Sequence, residues 1–206
     1  MTTNRKDKAA ETEAALKAAA ARLFVERGYL STKITDITRE AGRAAGSFYN
    51  HFSSKENLLE ALLKDLADAG DEAAEEPGHS ADFTDPAAIR YHLRSLWTFY
   101  RDNAGAMLAV RQAAMVDEDF GATMRQFGKA QQDELHDHLD TIVAAPDMNL
   151  PGSPELSISM MTLLLDSFAH QWLFGPATDG VHRPDDEEAI EALTRFIYRG
   201  LTGKDY

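Results

Sequence analysis

Between Lys8 and Leu201, apart from a few loops, apolar residues recur at helical spacing, and nowhere in that span is there a sustained alternating run of β-branched residues. A spacing of i, i+3, i+4, i+7 suits one face of a 3.6-residue helix and no pleated strand. The chain is therefore expected to be all-α. Capping and turn residues divide the pattern into nine helices. The first runs from Lys8 to Arg27, with Leu16, Ala20, Leu23 and Phe24 on one face, and Gly28 stands where a C′ glycine ends a helix. Two short helices follow, about Lys33–Ala41 and Ala45–His51, on either side of Gly42. Ser53 with Glu56 reads as a capping box for a long helix that carries Leu58, Leu59, Leu62, Leu63 and Leu66. Asp85 with Pro86, Ser153 with Pro154, and Asp185 with Glu188 start later helices. Between them lie a helix holding Met107 to Met115 and a long one from about Asp119 to Ala144.

The chain has 206 residues and no cysteine, which removes disulfide scaffolds, thiolate metal sites and Cys nucleophiles from consideration. A chain of this length can bury a core without staples. No apolar stretch reaches the ~18 residues of a membrane span, so no membrane partner is expected. The N-terminus lacks the apolar run of a secretory signal, and a cytoplasmic location is the default. Charge is divided unevenly. Residues 1–55 carry ten Lys/Arg against six Asp/Glu, whereas residues 56–206 carry eleven against twenty-eight. A basic head (1–55) on an acidic body (56–206) points to two parts with different partners, and only the head suits phosphates.

The stretch 155–174 is apolar around most of its circumference, from Leu156 and Ile158 to Trp172 and Phe174. A helix apolar all round is buried on several sides. Either it is the central helix of a monomer, or one side meets a second copy of the chain. Leu164, Phe168 and Trp172, with Leu193, Phe196 and Ile197 of the last helix, are the residues expected at such a dimer interface.

Two short helices around a glycine, after a longer supporting helix, make a helix-turn-helix arrangement. With Phe48 and Phe52 turned to the core, Ala45, Gly46, Tyr49 and Asn50 face away. Ser47, Tyr49, Asn50 and His51 bring hydrogen-bonding groups, and Lys55 lies at a helix N-terminus that itself favours phosphate. The plainer alternative makes Tyr49 and His51 packing residues of a small three-helix head.

The stretch Ile34-x-x-Ile37-x-x-x-Ala41-Gly42-x-x-x-Gly46-Ser47-Phe48-Tyr49-x-His51-Phe52-x-Ser54-Lys55-Glu56-x-Leu58-Leu59 resembles the DNA-binding signature of tetracycline-repressor-type (TetR family) transcription regulators, and Phe24-x-x-x-Gly28-Tyr29 is similar to that family's first-helix ending. The resemblance covers about residues 10–60. It implies a homodimer whose heads dock in the major grooves of a near-palindromic, double-stranded operator. It also implies a body with a small-molecule pocket and a four-helix bundle made by the last two helices of each copy. An effector would then release the DNA. By motif position Tyr49, His51 and Lys55 would contact phosphate, with Ser47 and its neighbours in the groove. Lys33 and Thr35 complete the DNA-facing set. Arg43 and Ala44 depart from the usual pattern: Ala44 gives up the side-chain cap of the recognition helix, worth about 1 kcal/mol. Arg43 either reaches phosphate or a base edge, or is solvated. Ala45 removes a base-reading side chain.

In the body, aromatic and Met residues of the middle helices suit an apolar ligand, with His92, Arg111 and Gln112 as polar anchors. The expected ligand set is His92, Trp97, Tyr100, Arg111, Phe127 and Met161, and plain core packing is the alternative for each. Residues 133–140 hold His136 and His138 among acidic residues. They lack the paired Glu-x-x-His of a di-iron bundle, and a solvated acidic face is expected rather than a metal site. No cofactor is expected. With no Gly-rich phosphate loop, G-x-S-x-G elbow or H-E-x-x-H, an enzyme is not the reading. The rival to a ligand-responsive regulator is a DNA-binding architectural protein that senses nothing.

Overall fold

The computed structural model describes residues 2–74, 79–175 and 185–206, with the side chains of residues 2–5, 67–74, 127, 130, 131 and 134 left aside. Among the described residues there are ten helices and no strand: α1 (Thr2–Arg27), α2 (Ile34–Glu40), α3 (Ala45–Phe48), α4 (Lys55–Ala74), α5 (Pro86–Asp102), α6 (Ala104–Ala114), α7 (Glu118–Glu134), α8 (His136–Ala144), α9 (Pro154–Phe174) and α10 (Asp186–Thr202). The tenth helix arises where one long helix to Ala144 was expected. Leu135 interrupts it, and α8 begins one residue later without a side-chain cap. Neither Gly nor Pro marks this break in the sequence.

The chain folds as two packing units. Unit one comprises Met1–Ala73 and Asn103–Arg125, and unit two comprises Ala74–Asp102 and Gln126–Tyr206. Residues of α4, α6 and the start of α7 share the core of unit one with the helices of residues 1–55. That core joins Leu16, Leu23 and Phe24 of α1 to Ile37, Phe48, Phe52, Leu58, Leu59, Ala109, Ala113 and Phe120. Each such Leu, Ile or Phe stabilises by roughly 1.5–3 kcal/mol on burial. The helix α3 is a single turn and could not stand alone. It is held because Phe48 and Phe52, one turn apart, are 0% and 4% exposed.

Two glycines set the turns of this unit. Gly28 (φ +78°) donates its N–H to the Phe24 carbonyl and ends α1, and Gly42 (φ +64°) turns the chain between α2 and α3. Both lie in the left-handed region that other residues enter at a cost. Further on, α6 crosses α1 so closely that a Cβ on Gly105 would lie 2.4 Å from the Ala21 carbonyl oxygen.

In unit two, α10 lies along α5, and α9 packs on α5 and α8. Ile89, Leu93 and Trp97 of α5 meet a core that includes Leu139, Ile142, Met161, Leu165, Ile190, Leu193 and Ile197. The expected caps form here. Asp85 Oδ1 accepts from Ala87 N–H at 2.8 Å, Ser153 Oγ from Leu156 N–H at 3.3 Å, and Asp185 Oδ1 from Glu188 N–H at 2.9 Å. Each satisfies an orphan donor of a first turn. Across the outside, Arg90 and Arg94 pair with Glu187, and Arg101 pairs with Asp186. Exposed pairs of this kind contribute about 0–1 kcal/mol each.

Candidate nucleic-acid interface

The surface of unit one that could meet DNA is built on the turn α2–α3. Lys33 caps α2 only through its backbone: its N–H donates to Asp36 Oδ2 at 3.2 Å. Lys33 and Thr35 are exposed at this helix start. Ala44 is extended and offers no side-chain cap, as its methyl group dictates, and the helix it opens stops at Phe48 rather than continuing to His51. Ala45, Gly46 and Asn50 are exposed, Ser47 is half-buried, and Tyr49 is 64% exposed. With Phe48 locked inward, Tyr49 and Asn50 can only point out, which brings the polar groups of this turn together on one outer side.

Three residues of the expected set are engaged within the unit. Arg43 Nη2 donates to Glu11 Oε1 at 2.9 Å in a partly exposed ion pair with α1. The His51 side chain is 13% exposed and sits 3.9 Å from a Glu13 oxygen. Lys55 Nζ donates to the carbonyl oxygens of Tyr29 (2.7 Å) and Thr32 (3.0 Å) and lies 3.9 Å from the Tyr29 ring centroid. An ammonium has three donors, and two of them are committed to the turn after α1.

The same turn explains Tyr29 and Glu56. Tyr29 is 1% exposed, and its hydroxyl donates to Glu56 Oε1 at 2.5 Å. Burial, and then the Glu56 carboxylate, push the Tyr29 phenol well above its usual range. Burial opposes ionisation of Glu56, yet the bond from Tyr29 and bonds from its own N–H and from Ser54 hold its carboxyl below the ordinary value. Burial lowers Lys55. The expected capping box of Ser53 with Glu56 is displaced by one residue for this reason. Ser54 Oγ accepts from Asn57 N–H at 3.1 Å, Asn57 Oδ1 accepts from Ser53 N–H at 3.3 Å, and Glu56 is left for Tyr29.

The expected ligand residues are divided between the two units. Arg111 belongs to α6 in unit one, whereas His92, Trp97, Tyr100 and Met161 belong to unit two. Trp97 is 5% exposed, donates Nε1–H to Asp186 Oδ1 at 2.8 Å and packs on Phe168; Met161 is 7% exposed in the same core. Tyr100 donates to Asp166 Oδ1, and His92 Nδ1 lies 2.8 Å from the Ala88 carbonyl oxygen. The side chain of Phe127 lies outside the described residues. Sequence reasoning missed His79, a loop residue whose ring meets those of His92 and His138. His138 is buried rather than part of the solvated face formed by Asp133, Asp137 and Asp140.

Of the expected dimer residues, Leu193 and Ile197 are buried in the unit's own core, and Leu164, Phe168 and Trp172 pack against it. Phe196 is 66% exposed. Large exposed apolar residues also stand at Leu156, Met160 and Leu163, one stripe of α9 at i, i+4, i+7. Among the described residues no helix is long and apolar enough to cross a membrane.

Comparison with known proteins bears on this head most directly. Residues 16–62 match the profile of the bacterial regulatory proteins, tetR family. The HTH-type transcriptional regulator TtgR of Pseudomonas putida is 40% identical over 81 residues, 39% of this chain and 38% of that protein. The HTH-type transcriptional repressor KstR2 of Mycolicibacterium smegmatis is 45% identical over 49 residues, 24% of each chain. The matches thus span well under half the length of these relatives. The fold extends further: the transcriptional regulator FadR from Bacillus subtilis, solved in complex with stearoyl-CoA, superposes with a TM-score of 0.70 over 91% of this chain and 98% of its own, at 16% identity. This all-α chain is thus similar, over the helix-turn-helix head of residues 16–62, to the tetR family of bacterial regulatory proteins.

Proposed function

We propose that the chain is a ligand-responsive transcriptional repressor that binds a near-palindromic operator as a homodimer and is released by a small apolar or aromatic molecule. The observation that carries the DNA-binding part is the exposure of Tyr49 and Asn50 on a turn anchored by fully buried Phe48, inside the matched stretch. Lys33, Thr35, Ala45, Ser47, Tyr49 and Asn50 form the face toward DNA. Arg43, His51 and Lys55 hold that face in place, and join it only by exchanging their present partners for phosphate. The exposed apolar residues of α9 and α10 supply the surface for a second copy. FadR's complex with stearoyl-CoA supports an apolar effector as a class that such a fold can hold. No catalysis and a cytoplasmic location belong to the same reading.

A DNA-binding protein without an effector is the second reading, favoured by the burial of Trp97 and Met161 as core residues. Selection from random double-stranded DNA should return two half-sites about one helical turn, or a multiple, apart. Titrating that duplex in the presence of a panel of lipophilic compounds then separates the readings. A responsive regulator loses operator affinity by ~5–150-fold with its effector, and a silent panel sinks the effector but not the operator.

A further inference from the structure

His79, His92 and His138 come from three separate parts of unit two, the loop before α5, α5 itself and α8, yet their imidazoles converge. One ring nitrogen from each lies within 4.8 Å of the others. His79 Nε2 and His138 Nε2 are 3.5 Å apart. That is longer than a good nitrogen hydrogen bond of about 2.7–3.2 Å. It is close to the edge of a tetrahedron around Zn2+, about 3.4 Å when Zn–N is about 2.0–2.1 Å. The third ring is oriented for the same task. With Nδ1 2.8 Å from the Ala88 carbonyl oxygen, His92 donates there and keeps its lone pair on Nε2. A backbone carbonyl that fixes the tautomer in this way is the usual outer partner of a metal-ligating histidine.

Ring packing and loop hydrogen bonds hold the cluster in place. Phe83, 1% exposed, sets its ring 5.1 Å from that of His92 and 5.0 Å from that of His138. Asp82 Oδ1 accepts from Thr84 N–H (3.0 Å) and Oγ1–H (2.6 Å), and Tyr198 donates to the Thr84 carbonyl at 3.3 Å, which pins the loop that carries His79. His79 is exposed while His138 is buried, so the cluster opens to solvent at one side. Beyond the edge-to-face packing of the rings, a ring nitrogen of each histidine lies within reach of the other two.

We propose that unit two binds one divalent transition-metal ion of the Zn2+ class between His79, His92 and His138. Imidazole donors suit Zn, Ni, Co and Cu and disfavour Mg2+ and Ca2+, which take oxygen ligands. Three protein ligands leave the fourth tetrahedral position to water. The site stands whether or not the chain has an effector or an operator.

The test uses the full chain without a histidine tag, stripped with chelator and titrated with Co2+ as the optical probe. The expected result is one tetrahedral Co2+ per chain by visible absorption, displaced by Zn2+. His79→Gln and His92→Gln should each weaken binding more than tenfold, since outer partners of ligating histidines alone are worth about 10–100-fold. His136→Gln, outside the cluster, should bind as the parent does. His138→Gln removes a buried ring and can disturb folding, so the exposed His79 carries the decision, with far-UV circular dichroism confirming unchanged helicity. Absence of saturable binding overturns the proposal, as does full-affinity binding by the His79→Gln and His92→Gln variants. An operator-binding chain that takes no Co2+ refutes this site alone, and a Co2+-binding chain that takes no operator refutes only the repressor reading.

Discussion

Tyr29 lies outside any helix, yet its ring, its hydroxyl and its carbonyl are all engaged, by Lys55 and Glu56 at the start of α4. Replacing Tyr29 by Phe removes the bond to the Glu56 carboxylate and should cost about 1.5–3 kcal/mol of unit-one stability, measured by urea unfolding. The folded phenol keeps its proton above the pH, about 10, at which the unfolded one releases it. Unfolding then gains as pH rises, so stability falls through that range, and the Tyr29→Phe variant should lose this alkaline component. At the acid end the sign reverses. Glu56 has a depressed pKa, so its contribution is present above about pH 4.3 and is lost as pH falls through the lower folded value. A second pair of variants separates holding from touching. Tyr49→Ala should weaken binding to every DNA sequence and flatten the salt dependence while leaving stability within about 0.5 kcal/mol. Lys55→Ala should lower stability by about 1–3 kcal/mol as well, because two carbonyls lose their donor. The spacing of Gly28, Tyr29, Lys55 and Glu56 was legible as a signature. That these residues bond to one another was not, since 26 residues separate Tyr29 from Lys55 and no local pattern encodes such a contact.

Helix starts were the most legible elements, because Asp85, Ser153 and Asp185 act on donors two or three residues away. Where a tertiary partner competes for the same side chain, local reasoning slips, as Glu56 shows by abandoning the expected box. The break at Leu135 is less readable still, for the sequence around it is made of ordinary helix formers. Ala44 offers a direct check on capping. Its backbone is extended, φ −68° and ψ 146°, as an N-cap requires, so Ala44→Ser should stabilise unit one by about 1 kcal/mol. The opposite sign is expected at Gly105. A methyl group there meets the Ala21 carbonyl of α1 at 2.4 Å, and Gly105→Ala should destabilise by about 1–3 kcal/mol through forced separation of α1 and α6. Chemical denaturation of both variants settles the two signs.

Self-association is argued from what the single chain leaves uncovered. Phe196 is 66% exposed and Leu163 65%, while Leu193 and Ile197 already serve the internal core. Phe196→Glu therefore adds a charge to the open face without emptying the core. Light scattering should report twice 22.8 kDa for the parent and a shift toward one chain for the variant; a parent of one chain mass refutes the dimer. The all-round apolar pattern of 155–174 was readable as burial on several sides, but which side faces inward depends on α5 and α8, and the sequence of α9 alone cannot fix that. One feature of unit two reaches into how unfolding would be seen. The chain has two tryptophans, Trp97 and Trp172, and both lie in unit two. Indole emission is therefore a spectroscopic window on unit two alone, with Trp97 reporting through its bond to Asp186 on whether α10 stays docked along α5. Far-UV dichroism sums helices from both units. If the units melt independently, the optical traces separate, and a midpoint read from fluorescence describes the half of the molecule that carries the histidine cluster while the half that carries Tyr49 remains unseen.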